Sequence, residues 1–558
     1  MRPSDVGDVW WKSAVVYCAD VQTFQDSDGD GQGDLRGLTD RLEYLADLGV
    51  TVLWLMPFYP TADRDDGYDI TDFLGVDPRL GDLGAFVEMV RTARNHGIRV
   101  IVDFVMNHTS AEHPWFTSAR RSTDDPYRQY YVWSAKKPPT GKDQVVFPDA
   151  EDSIWEKDDR TGQWYLHHFY SSQPDLNVAN PQVREEIART LGFWLQLGVS
   201  GFRVDAVPFL FQQDDYPGAE DRGFEPMRYL GDVRGFVSRR LGDAVLLGEV
   251  NLPYDGQKSF FGGDDGDGLN LQFDFNGMQA LYLSLARGDA GPVAATLRQR
   301  PDLDITSQWA TFVRNHDELT LDKLTTAERK EVFAAFGPEP EMQLYDRGLR
   351  RRLPPMLGGD QRRIRCVYSL MFSLPGTPVL FYGEEIGMGE NLDIPGRLAV
   401  RTPMQWTSGA NGGFSSAPKR SLARPVVSGE FGPEQVNVAD QRRDPDSLWS
   451  FIRTLIHRYR QLPELGWSEV EVLDHDTPAV LAHVARTDGW RMLAVHNLSG
   501  TTETVTLHLD DAEGRVLHDV LGRGEETPLG DDGEVSLVLE PYEGMWWRVI
   551  APGEEPLA

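Results

Sequence analysis

Eight short apolar runs constrain the fold of this chain most: Val15–Tyr17, Val52–Met56, Val100–Phe104, Gly201–Asp205, Val245–Glu249, Leu271–Phe275, Ala310–Arg314 and Val379–Tyr382. Each is followed by polar or glycine-rich residues and then by a helical pattern, as at Leu38–Leu48 and Leu83–His96. Parallel strands covered on both faces by crossover helices read this way. Repeated βα units in this number close on themselves, so the expected fold is α/β, a (β/α)8 barrel.

At 558 residues the chain is too long for one ordinary core. The gap between the third and fourth runs exceeds a single crossover and is rich in Trp, Tyr, Pro and Asp, so residues 109–172 are expected to form an inserted subdomain. The barrel then comprises 1–108 and 173–465, ending on a helix at Ser447–Arg460. From about Gly466 the pattern alternates, as in Val480–Val484, Arg491–His496 and Thr502–Leu509, which predicts a sandwich-like β domain over 466–558. The GGDDGDG stretch at 262–268 reads as a solvated turn.

Charge narrows the partners. With 87 acidic and 55 basic residues the formal charge is -32, which excludes nucleic acid and anionic membrane. An uncharged sugar is compatible with that field, and 15 Trp, 18 Tyr and 26 Phe offer faces for stacking. Cys18 and Cys366 are read as buried hydrophobes without a disulfide. The opening MRPSDVGDVWWKSAVVYC lacks a leader pattern, and no run of about 18 apolar residues exists, so a cytoplasmic protein is expected. Association into a homo-oligomer is left open.

Ionisable residues gather at the C-terminal ends of the apolar runs, where barrel enzymes hold their chemistry. Asp103, Asn107 and His108 follow the third; Arg203 and Asp205 close the fourth; Glu249 closes the fifth; Asn315, His316 and Asp317 follow the seventh. Cleaving a glycosidic bond needs one carboxylic acid to protonate the leaving oxygen and one carboxylate facing the anomeric carbon.

GFRVDAV (201–207), LLGEV (246–250), FVRNHDE (312–318), DFVMNH (103–108), QPDLN (173–177) and GTPVLFYGEE (376–385) resemble, in this order, family thirteen of the glycoside hydrolases, the α-amylase superfamily. The resemblance spans about residues 10–420 and implies the barrel, the insertion after strand three and an all-β third domain. It implies that Asp205 is the nucleophile, Glu249 the general acid/base and Asp317 the residue that grips substrate hydroxyls. Arg203 would orient Asp205 and keep it ionised, while Glu249 holds its proton. By the same resemblance His108 and His316 donate to sugar hydroxyls and Tyr68 stacks beneath the ring. DDGYDI and RTPMQW resemble the α-glucosidase and trehalose synthase branches, where Asp65 and Arg401 pair to close the pocket end and favour short substrates.

DSDGDGQGD sets Asp26, Asp28, Asp30 and Asp34 at alternating offsets around Gly31, so their oxygens, with the Gln32 carbonyl, can surround a hard cation. No helix is expected before Asp26, and Gly37 stands where an EF-hand places its glutamate. The structural calcium loop of the family's exo-acting branches fits better, and Ca2+ is the expected cofactor.

GFRVDAVPFL, RNHDELTL, LRRRLPPML and EEIGMG resemble trehalose synthases, which implies a small α-glucoside substrate such as maltose or trehalose and intramolecular glucosyl transfer. Two departures bear on the acceptor: Val250-Asn251-Leu252-Pro253 where Ala-Asn-Gln-Trp is expected, and Pro395-Gly396-Arg397-Leu398 where Gly-Asp-Arg-Asp is usual. They leave hydrolysis, as an α-glucosidase, or transfer to another acceptor as alternatives. An inactive carbohydrate-binding scaffold is the alternative of another class, and the three intact acids oppose it.

Overall fold

The computed structural model describes residues 9–554 apart from 142–143, 212–223, 264–265, 488 and 523. The first eight residues of the opening segment and the centre of the GGDDGDG turn lie outside these residues.

Eight parallel strands close a barrel: Val16–Ala19, Val52–Leu55, Arg99–Phe104, Gly201–Val204, Val245–Gly248, Leu271–Phe273, Gln308–Thr311 and Thr377–Phe381. Each pairs with its neighbours in sequence, and the ring shuts through Val16 opposite Val379. The first, second, fourth and fifth strands are buried at every position, which is why they read as continuous apolar runs rather than alternating ones. Gly201 has a φ of 152°, and a Cβ there would sit 2.2 Å from the Val245 carbonyl oxygen. The residue thus allows the close approach of the two strands that carry Asp205 and Glu249.

Two expectations are corrected. The seventh strand ends at Thr311 rather than Arg314, because the Arg314 guanidinium bonds the carbonyls of Asn315, Asp317 and Arg351 and draws the chain out of the ladder. The helix expected at Leu38–Leu48 is two, Leu35–Asp40 and Leu42–Leu48. Arg41 breaks it: its side chain binds Gln25 Oε1 and lies 4.2 Å over the Trp406 ring.

Between the third and fourth strands, bridges of His108 to Asp175 and Tyr131 to Leu176 tie the base of the insertion. Trp133–Ser134, Trp155–Lys157 and Trp164–Leu166 form a small antiparallel sheet over a core of Val132, Ile154, Trp155 and Leu166. A short helix, Pro463–Trp467, spans position 466 and packs on the barrel, where the Gln308 side chain donates to Gly466 O. Antiparallel strands begin at Val470. A six-stranded sheet there faces the pair Glu503–His508 and Glu534–Leu539, and Val484, Val495, Val505 and Leu537 share one core. Cys18 and Cys366 are both free and buried. Among the described residues no helix is long and apolar enough to cross a membrane.

Candidate active site

Asp205 and Glu249 stand one residue beyond adjacent strands, at the C-terminal rim. Arg203, from inside the fourth strand, joins them: its Nη1 donates to Asp205 Oδ1 at 2.6 Å and to Asp103 Oδ1 at 2.8 Å, and its Nη2 to Glu249 Oε2 at 2.8 Å. Ala206 takes a φ of 47°, in the left-handed region, and its N–H donates to Glu249 Oε2 at 3.2 Å. Backbone strain of this kind collects where function demands a set geometry.

One buried guanidinium therefore serves three carboxyls. Burial pushes Glu249 up, Arg203 pulls it down and Asp205 and Asp317 repel its charge, leaving it at about 7. Burial likewise raises Asp205, against Arg203, to about 6. The expectation that Arg203 would hold Asp205 at a lowered pKa is thus corrected, because burial and the neighbouring Asp103 outweigh the single cation. The order survives: Glu249 is the weaker acid.

Asp317 lies in another field. Burial would raise it, but His316, Arg397 and Arg401 hold it well below the usual carboxylate range. His316 is fully buried and pushed down to about 4 by that burial, so it is neutral. Tyr68 Oη donates to Asp103 Oδ2, so the proton on His316 Nε2 faces Tyr68 Oη at 2.7 Å and Asp317 Oδ2 at 3.1 Å. His316 Nδ1 is buried with no partner among the described residues. The Tyr68 and His316 rings lie parallel, 5.7 Å apart. His108 Nε2 is 3.1 Å from the Tyr68 carbonyl oxygen.

The expected pairing of Asp65 with Arg401 is corrected. Asp65 binds Arg397 Nη2 at 2.6 Å and Gln173 Nε2 at 2.9 Å, whereas Arg401 binds Asp66 at 2.5 Å and Asp317 at 2.8 Å. Asp66 has a φ of 51°, and this reversal lets consecutive carboxylates face different arginines. Arg397, Asp66, Asp103 and Gln173 thus belong to the site without having been assigned to it. Arg397 was visible only as part of an unusual loop, and Asp66 as the neighbour of the acid chosen. A cavity of about 700 Å³ opens in front of Glu249, Asp317 and Arg397 and runs outward to the inserted subdomain.

Of the five loop residues expected to hold a cation, Asp26, Asp28 and Asp34 each bring a carboxylate oxygen within 4.8 Å of the others. Asp30 is outside that group and its Oδ1 accepts the Gln32 N–H. A single helical turn, Val21–Phe24, does precede Asp26, capped by Asp20, which accepts the Gln22 N–H.

A parallel barrel with two carboxyls at adjacent strand ends and a third at the seventh defines a glycoside-processing enzyme. The description "Alpha amylase, catalytic domain" matches residues 20–335 and 350–467, and "Maltogenic Amylase, C-terminal domain" matches 470–546. The chain belongs to the α-amylase family, family thirteen of the glycoside hydrolases, and is an enzyme of that family. It is 40% identical to the trehalose synthase/amylase TreS of Mycobacterium tuberculosis over 98% of this chain and 91% of the relative. It is 39% identical to a trehalose synthase of Thermus thermophilus over 98% of its length, spanning 58% of that longer protein. An oligo-1,6-glucosidase of Parageobacillus thermoglucosidasius is 29% identical over 89% of this chain and 92% of its own. The crystal structure of the trehalulose synthase MutB from Pseudomonas mesoacidophila superposes with a TM-score of 0.75 at 27% identity, covering 98% of this chain and 100% of that one.

Proposed function

We propose that this protein is a trehalose synthase-like enzyme that interconverts maltose and trehalose by double displacement. The observation that carries the reading is the Asp205–Arg203–Glu249 bridge, which sets side by side two carboxyls of different acidity, about 6 and about 7. In the first step Glu249 gives its proton to the glycosidic oxygen as the C1–O bond breaks and Asp205 bonds to C1. In the second, a hydroxyl of the retained glucose attacks C1, its proton passes to Glu249, and Asp205 leaves. Asp317, ionised and clamped by two arginines, accepts hydroxyls of the transferred glucose, and the Asp65–Arg397 pair limits that end to one sugar. The near full-length likeness to trehalose synthases supports the choice of reaction. Hydrolysis is the second reading, favoured by the cavity of about 700 Å³ before Glu249, which has room for water beside a sugar.

Incubating the protein separately with maltose, trehalose and sucrose and resolving the products tests both. The isomerised disaccharide is expected from maltose and from trehalose; glucose alone overturns the synthase reading.

We infer that the loop of Asp26, Asp28 and Asp34 holds a structural Ca2+. The three converging carboxylates form a hard oxygen donor set. A hydrogen bond from the Asp30 N–H pulls the Asp28 carboxyl down, yet burial and the charges of Asp30, Asp26 and Asp34 leave it net raised, a repulsion that a cation relieves. Gly31 packs against Ser421, and Asp26 accepts from Ser415, so the ion would fasten this loop to the segment beyond the eighth strand.

A further inference from the structure

Arg401 steadies both polar residues beyond the seventh strand: its Nη2 donates to Asp317 Oδ1 at 2.8 Å and its Nε to the His316 carbonyl oxygen at 2.8 Å. Its remaining amino group, Nη1, is taken by Asp66 Oδ2 at 2.5 Å. The other oxygen of Asp66 accepts from Arg424, which comes from the segment beyond the eighth strand and is 6% exposed. The Arg424 Nη2 also donates to Gln22 Oε1 at 3.0 Å, and its Nη1 to Asp20 Oδ2 at 3.1 Å and to the Arg401 carbonyl oxygen at 2.9 Å.

Arg424 therefore reaches Arg401 twice, once through the backbone and once through Asp66. Burial would raise Asp66, but Arg424, Arg401 and Arg397 pull it down to about 2, so it is an anion with an arginine on each oxygen. Take away one of those cations and the buried charge is left partly unanswered, and Asp66 then competes with Asp317 for Arg401. Arg424 itself faces away from the reacting groups. It lines a second cavity, of about 580 Å³, together with Asp65, Asp66 and Arg397, whereas Asp205, Glu249 and Asp317 do not line that cavity.

We propose that Arg424 is a positioning residue for Asp317, acting through Asp66 and Arg401 to hold the carboxylate that meets the hydroxyls of the transferred glucose. The inference rests on the role given to Asp317 under the proposed function. A planar guanidinium can serve a carboxylate, an amide oxygen and a backbone carbonyl together, which a lysine ammonium on its flexible stem does less exactly.

The test uses the full chain turning over α-glucosyl fluoride, with methyl 1-thio-α-glucoside, an uncharged one-sugar analogue, as competing inhibitor. A loss of folded protein lowers kcat alone, whereas a displaced Asp317 moves the KM of the fluoride and the Ki of the analogue. Arg424→Gln is expected to raise both about tenfold, and Arg424→Lys, which keeps the charge, to recover them to within about threefold of wild type. Should Arg424→Gln fail to fold, Asp66→Asn breaks the same link from its other end and gives the same readout. Asp317→Asn is the control. A raised Ki there with an unchanged Ki in the folded Arg424→Gln or Asp66→Asn variant overturns the inference alone. An unchanged Ki in Asp317→Asn overturns the role of Asp317, and the inference with it.

Discussion

Asp65 Oδ1 accepts a 2.6 Å hydrogen bond from Arg397, whose other amino group holds Asp317 at 2.7 Å. The acid assigned to grip the substrate is thereby fixed by the same cation that binds Asp65. Breaking a buried ion pair by removing one partner costs about 3 kcal/mol or more, so Arg397→Leu should lower kcat/KM on maltose by about two orders of magnitude. With the end opened, the preference for maltose over maltotriose should also fall. Steady-state kinetics on both sugars checks this, and an unchanged preference would show that the pair does not bound the site.

Asp205→Ala should abolish turnover of every glucoside, with circular dichroism unchanged. Glu249→Gln should lose about three orders of magnitude on maltose, the usual scale of general acid–base catalysis. On α-glucosyl fluoride, whose leaving group needs no proton, its first step should persist. Equal losses on both donors would argue against Glu249 as the acid.

The proposed mechanism requires Asp205 ionised and Glu249 protonated. The first condition is met above about 6 and the second below about 7. A profile of kcat/KM against pH should therefore rise through about 6 and fall through about 7. A plateau extending to pH 9 contradicts the assignment.

His316, His113 and His483 are pushed down by burial, to about 4, 3 and 3. Their unfolded counterparts titrate near 6.5, so below that pH the unfolded chain takes up more protons than the folded one. Stability is then lost as pH falls from 6.5 toward 4, and the depressed Asp317 adds to the loss at lower pH. The raised carboxyls of Asp205 and Glu249 act in the opposite sense over the same window, so the drop in melting temperature due to a histidine is read as the difference between wild type and variant. His483→Gln, which keeps a polar partner for Ser373, should make the drop shallower.

Chelation should lower the melting temperature of the native protein, and added Ca2+ should restore it. Asp26→Ala should lack this response. A wild-type melting curve indifferent to chelator counts against calcium in this loop.

The barrel was legible because parallel strands buried on both faces leave unbroken apolar runs, and the placement of Asp205, Glu249 and Asp317 because each lies at or shortly beyond the end of such a run. Local order was less legible where a side chain overrides the local pattern, as Arg41 and Arg314 do. The sequence by itself determined which residue types reach the rim and in what order around it. Which charges meet there was decided only by the tertiary structure. Asp65 and Arg397 are 332 positions apart, and the choice between Arg397 and Arg401, like the raised pKa of Asp205, depends on distances and burial that no local pattern encodes.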